Sequence, residues 1–161
     1  MRGEFIFFAN TPERIVIPNM ITDEGEEAFL KMLMQGDATI VAAGGNFYVG
    51  LSSDTPVETI TLGDLAAEPS SANGYARQAV TRDATGFPTI TQVNGVYCVT
   101  SALISFTPSG GDFDTDIDRM FLCDAATGTS GTLFAFSGAL PAPITVTEAA
   151  PFSAQYRLYL D

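Results

Sequence analysis

From Asn46 onward the chain reads as short apolar runs punctuated by turn residues. Their period-two patterning predicts strands at Phe47–Leu51, Tyr75–Val80, Thr89–Val93, Val96–Phe106, Arg119–Asp124, Thr132–Phe136 and Ala154–Leu160. Asn94-Gly95 joins two of them as a tight hairpin, because a type I′ turn needs positive φ at both central residues. In Val96–Phe106, Cys98, Thr100, Ala102, Ile104 and Phe106 share one face, opposite Tyr97, Val99, Ser101, Leu103 and Ser105. Both faces are semi-apolar, which predicts a central strand. The final run alternates Tyr156, Leu158 and Leu160 with Gln155, Arg157 and Tyr159, so one face is wet.

The first residues follow a different pattern. Glu4–Phe8 is apolar without alternation and is followed by Asn10-Thr11-Pro12. A strand with two apolar faces must be covered on both sides. At a chain terminus this predicts an arm tucked into a sheet or a neighbouring subunit, with Phe5, Ile6, Phe7 and Phe8 as candidate interface residues. Arg14–Ile17 is a second short strand, closed by Pro18. A helix over residues 23–35 starts near Thr22 or Asp23, where Asp23-x-x-Glu26 has capping-box spacing and the glutamates suit the helix dipole. Phe29, Leu30, Leu33 and Met34 form an apolar stripe read as core, and Gly36 is the stop. The organisation is an arm with strands over residues 1–18, then a single domain over 19–161. The 22 residues from Ser52 to Asn73 make a connection long enough to predict an interaction element.

Composition narrows the function. Hydrophobic residues are 46% of the chain and charged residues only 16%. This predicts surface hidden against other protein, although a monomer with an uncharged Ser/Thr/Asn surface accounts for the same numbers. A net charge of −12, with seven Lys and Arg scattered singly, argues against nucleic acid, whose phosphates need clustered cations. The apolar N-terminal run is too short to cross a bilayer and lacks the features of a signal peptide, so synthesis and assembly are expected in a cytoplasm. There, Cys98 and Cys123 are expected as buried thiols.

Candidate chemistry is sparse. The sequence has no histidine, which removes serine triads, Cys–His dyads and the commonest metal ligand. No phosphate loop or dinucleotide fingerprint occurs, and no cofactor is expected. Asp112, Asp114, Asp116 and Asp118 are a candidate calcium set, since calcium takes closely spaced carboxylates. Ile117 and Cys123 stand where an EF-hand loop needs Gly and Glu, and a solvated acidic loop is the alternative. An acidic glycoside hydrolase is a remote alternative, without a tryptophan to stack on sugar. Tyr75 and Arg77 share a strand face among few other charges. Arg77 reads either as an interface clamp or as a fold-internal ion pair.

Several short motifs follow one another along the chain: Tyr48-Val49-Gly50-Leu51, a loop ending at Leu65 with Glu68-Pro69, Gly74-Tyr75-Ala76-Arg77-Gln78, and Asp124-Ala125-Ala126-Thr127-Gly128. Leu133, Gly138-Ala139-Leu140 with Pro143, and Tyr156–Asp161 complete the set, with Asn19–Gly25 as a helix lead-in. In this order they resemble small virion structural proteins of tailed bacteriophages, the tail-fibre or decoration type. The resemblance implies a mainly β protein, an antiparallel β-sandwich of jelly-roll-like form with one short N-terminal helix and an N-terminal arm. It implies a non-enzymatic role and self-association, commonly as a homotrimer. The expectation is a capsid decoration (cement) protein on the capsid exterior, with the major capsid protein as partner. A tail, baseplate or fibre-base adaptor is the alternative.

Overall fold

The computed structural model describes residues 2–8, 14–37 and 45–160. The predicted turn at Asn10-Thr11-Pro12 lies outside them. Ten strands and one helix follow in the order β1 (Arg2–Phe8), β2 (Ile15–Ile21), α1 (Asp23–Met34), β3 (Asn46–Ser52), β4 (Gln78–Thr81), β5 (Thr89–Val93), β6 (Val96–Thr100), β7 (Ile104–Phe106), β8 (Arg119–Cys123), β9 (Leu133–Ser137) and β10 (Phe152–Tyr159). The fold is mainly β and antiparallel, as expected. Its layers arise from one sheet, in the order β4-β3-β8-β9-β2-β1-β10-β6-β5, with β7 beside β10. The sheet curls until β4 approaches β7, and the fold is a half-barrel or sandwich with its core inside the curl.

Of the two settings expected for the N-terminal run, a sheet or a neighbouring subunit, the sheet is the one found. β1 pairs with β10 on one side and β2 on the other, so its backbone is bonded along both edges. Phe5 and Phe7 face the core against Tyr156 and Phe152, with ring centroids 5.0 and 5.5 Å apart. Ile6 points to the opposite face and is also buried. The lack of alternation therefore reflects a central strand covered on both faces. The division at residue 18 falls inside β2, which continues through Pro18 to Ile21. Pro18 is tolerated because its carbonyl alone is used, accepting from the Gly138 amide.

The long strand at Val96–Phe106 is broken at Ser101–Leu103. Thr100 pairs with Arg157, while Ile104 pairs with Ala154, one residue out of step with the first register. A one-residue slip turns every later side chain to the other face. Thr100 therefore lies on the Arg157 face, whereas Ile104 and Phe106 enter the core. Ser101 stitches the break: its amide donates to the Tyr156 carbonyl, and its hydroxyl accepts the Tyr156 amide.

The helix is capped by Thr22 and not by Asp23. Thr22 Oγ1 accepts the Gly25 amide at 3.1 Å and donates to the Leu133 carbonyl, tying the helix start to β9. Gly25 lies against the Phe134 backbone, where a Cβ would collide with the carbonyl oxygen. Gly25, Ala28 and Phe29 are the helix face pressed on the sheet. Lys31 pairs with Glu27 one turn earlier, and Gly36 at φ 66° ends the helix.

The connection from Ser52 to Asn73 is a cover. Asp54 accepts the amides of Ala66 and Ala67 at 3.1 and 3.0 Å, folding it back on itself. Ile60 and Leu62 then pack on Phe121, Leu133 and Phe136, on the sheet face away from the main core. This second small core explains why β8 and β9 are buried on both sides.

Gly25→Ala isolates the close helix–sheet approach. Helix propensity alone favours alanine by up to about 1 kcal/mol. Overpacking outweighs it, so urea denaturation should show a loss of about 1–3 kcal/mol. A stabilised variant would contradict the packing described.

Candidate functional site

Tyr75 and Arg77 are interior residues. Arg77 comes just before β4, and its side chain is only 5% exposed. Its Nε and Nη2 donate to the two carboxylate oxygens of Glu68 at 2.9 and 2.8 Å, a bidentate pair. Nη1 donates to the Ala125 carbonyl at 3.0 Å and Nη2 to the Gly128 carbonyl at 2.9 Å. The guanidinium carbon lies 5.2 Å from the Phe121 ring centroid. The Tyr75 hydroxyl donates to Glu68 at 2.7 Å and accepts the Leu51 amide at 3.0 Å. Of the two readings of Arg77, the ion pair within the fold is the one realised here.

The electrostatics of this node follow from its burial. Burial opposes the Arg77 charge, but hydrogen bonding to Glu68 and neighbouring charge outweigh it, so its pKa stands above the ordinary value. Burial first, and then the Glu68 charge, push the Tyr75 phenol far up. Cys123 Sγ lies 3.3 Å from the Ala125 carbonyl, and burial pushes its thiol up to about 11. Cys98 and Cys123 are free and buried, on strands separated by β9, β2, β1 and β10.

The four aspartates do not converge. Asp112 accepts the Glu148 amide at 3.2 Å, and Asp114 the Ser70 amide at 3.0 Å. Asp116 accepts the Thr145 hydroxyl, and Asp118 pairs with Arg119 at 2.7 Å. Between them Phe113 and Ile117 are buried. The segment thus alternates anchors with carboxylates bound to separate partners. Among the described residues, no three His, Cys, Asp or Glu side chains gather as a metal would require.

Among the described residues, an apolar cleft opens to the surface. It lies where the curled sheet stays unclosed, between the β3 side and the β5–β6 hairpin. Phe47 and Phe87 contribute one wall, Ile90 and Val99 the other, and Phe29 of α1 faces both. Its two adjoining hollows measure about 370 and 280 Å³. Beside it α1 leaves Leu30, Leu33 and Met34 exposed, at 60, 66 and 79%. The apolar stripe of the sequence assigns these three to the core, and the structure leaves them outside it. The sequence held the signal: with Ala28, Phe29 and Met32 also apolar, the helix carries more apolar surface than one sheet can cover.

Residues 20–156 match a family model described as Podophage GP4 fiber I protein gp80. The match runs from the end of β2 into β10, taking in α1, the cover, the Arg77 node and most of the cleft lining. The chain belongs to this family. It is a tailed-phage virion structural protein of fibre-like type. A search of curated proteins finds no match. Within the matched span the Arg77 node is scaffold, tying the cover to the β8–β9 turn.

Two measurements check the site. Millimolar calcium should leave the melting temperature unchanged, since the four aspartates point to separate partners; a rise of several degrees would restore the calcium reading. The Cys123 thiol has a folded pKa above its ordinary 9.0. Its stabilising contribution is therefore complete below about pH 9 and is lost as pH climbs toward 11. The loss amounts to about 2–3 kcal/mol. Melts of Cys123→Ala across this range should lack that share of the alkaline decline seen in the parent.

Proposed function

We propose that this protein is a non-catalytic building part of a tailed-phage fibre, joined to its neighbours through the apolar cleft and the exposed flank of α1. The family match is the observation that carries the reading, because its description names a fibre protein and it spans most of the chain. The cleft and the uncovered Leu30, Leu33 and Met34 support it physically. Exposed apolar surface gathered in one place is what a protein–protein contact uses. A tail or fibre-base adaptor fits the same features.

The capsid decoration reading, with the major capsid protein as partner and the capsid exterior as location, followed from the resemblance, with small size and the tuckable N-terminal run in its favour. Phe5, Ile6 and Phe7 are instead buried within the sheet. A clamp made of β1 would require pulling out a strand paired on both edges. With that support withdrawn, the fibre reading takes precedence.

Immunogold labelling of intact virions tests the location. Gold is expected at the tail and its fibres, and labelling spread over the capsid shell would overturn the fibre reading. The contact surface is tested by Leu33→Lys with Met34→Lys. Both side chains are exposed, so the melting temperature should stay within a few degrees of the parent, while incorporation into virions is lost.

A further inference from the structure

We propose that residues 55–66, the tip of the cover, form a flap that opens on its own while the sheet beneath it stays folded. The cover is pinched at its base. The Ser53 amide donates to the Ala67 carbonyl at 3.1 Å, and the Asp54 carboxylate accepts the Ala66 and Ala67 amides. Just past this neck, Glu68 is fixed by Arg77 and Tyr75. Chain ends drawn together in this way make an Ω-loop, with a fixed base and a tip that relies on its own contacts.

Those contacts are few. Among the described residues, the one hydrogen bond leaving the tip runs from the Asp23 amide to the Glu58 carbonyl, at 3.0 Å. Ile60 and Leu62 are the two side chains of residues 55–66 that are buried, while Val57, Glu58 and Thr59 face solvent. The other bonds stay inside the tip. The Ile60 amide donates to the Val57 carbonyl, and the Asp64 carboxylate accepts the Thr61 amide and hydroxyl. They hold the tip in one shape whether it lies down or lifts.

The packing beneath divides along the same line. Ile60 and Leu62 belong to the small cluster with Phe121, Cys123, Leu133 and Phe136, and none of residues 53–73 joins the main cluster inside the curl. Lifting the tip therefore uncovers the outer face of β8 and β9 and leaves the main core intact. The Arg77–Glu68 pair, on the fixed side of the neck, is not broken. The Asp23 amide, an orphan donor of the first turn of α1, passes to water when Glu58 leaves. An opening of this kind lies below global unfolding in free energy and exposes less surface.

Cys123 lies under the tip and reports its opening. Burial keeps the thiol protonated, and so unreactive, while the tip is down. The full chain is labelled with iodoacetamide across a urea series below the unfolding transition, and peptide masses separate Cys123 from Cys98. Cys123 should react at least about tenfold faster than the globally unfolded population allows, with a urea slope well below the global one. Ile60→Ala weakens the hold of the tip and should raise that rate by about tenfold or more. Ile104→Ala cuts only the main core, with Ile104→Val in its place should the larger cut not fold. It should lower global stability and leave the Cys123 rate within about twofold of the parent. Reaction of Cys123 only in step with global unfolding, an unchanged rate in Ile60→Ala, or an acceleration in the Ile104 variant that matches its global loss would each overturn the proposal.

Discussion

The Arg77–Glu68 pair is the constraint on which the rest of the structure depends. Three separate pieces of chain meet at the guanidinium: the cover over residues 52–73 through Glu68, the β8–β9 turn through the Ala125 and Gly128 carbonyls, and the start of β4. Hydrogen bonds to ionised groups are stronger than neutral ones, and here the low dielectric also makes their loss costly. A charge buried among these partners tolerates one arrangement only. With Glu68 held, Ile60 and Leu62 lie down on Phe121 and Leu133, and the outer face of β8 and β9 is sealed.

That seal decides where function can reside. Tyr75, Arg77 and the apolar β1 residues are spent on the fold, and the aspartates of residues 112–118 on turn contacts. Among the described residues, the surfaces left open include the seam where the sheet does not close, the uncovered flank of α1 and the β5 edge. For a member of a phage fibre family this is a sensible division. The β shell is closed to new contacts over its sealed faces, and the apolar surfaces left open are the ones on which the proposed contacts rest.

Much of the β architecture was legible because period-two runs and turn residues speak directly to strands. Seven predicted strands from Phe47 onward appear, with Val96–Phe106 divided by its bulge and Tyr75–Val80 trimmed to β4. The trim has a tertiary cause: Tyr75 and Arg77 turn inward toward Glu68 in place of continuing the ladder. The slip at Ser101 was invisible because alternation looks the same on either side of an inserted residue. The apolar run of β1 spoke for cover on both faces, but its partner strands β10 and β2, and so the choice of sheet over neighbouring subunit, are set by tertiary pairing. The cleft was missed for a simpler reason. Leu30, Leu33 and Met34 were counted as core, although a twelve-residue helix lying on one sheet cannot bury apolar residues on every side.

The most direct test of this scaffold is a double-mutant cycle between Glu68→Gln and Arg77→Met, followed by chemical denaturation. Arg77→Met alone should cost about 3–5 kcal/mol, because it strands a carboxylate that is largely removed from water. The double variant should cost less than the sum of the two single changes, by at least about 1.5 kcal/mol of coupling. Strictly additive losses, or an Arg77→Met protein as stable as the parent, would contradict the account.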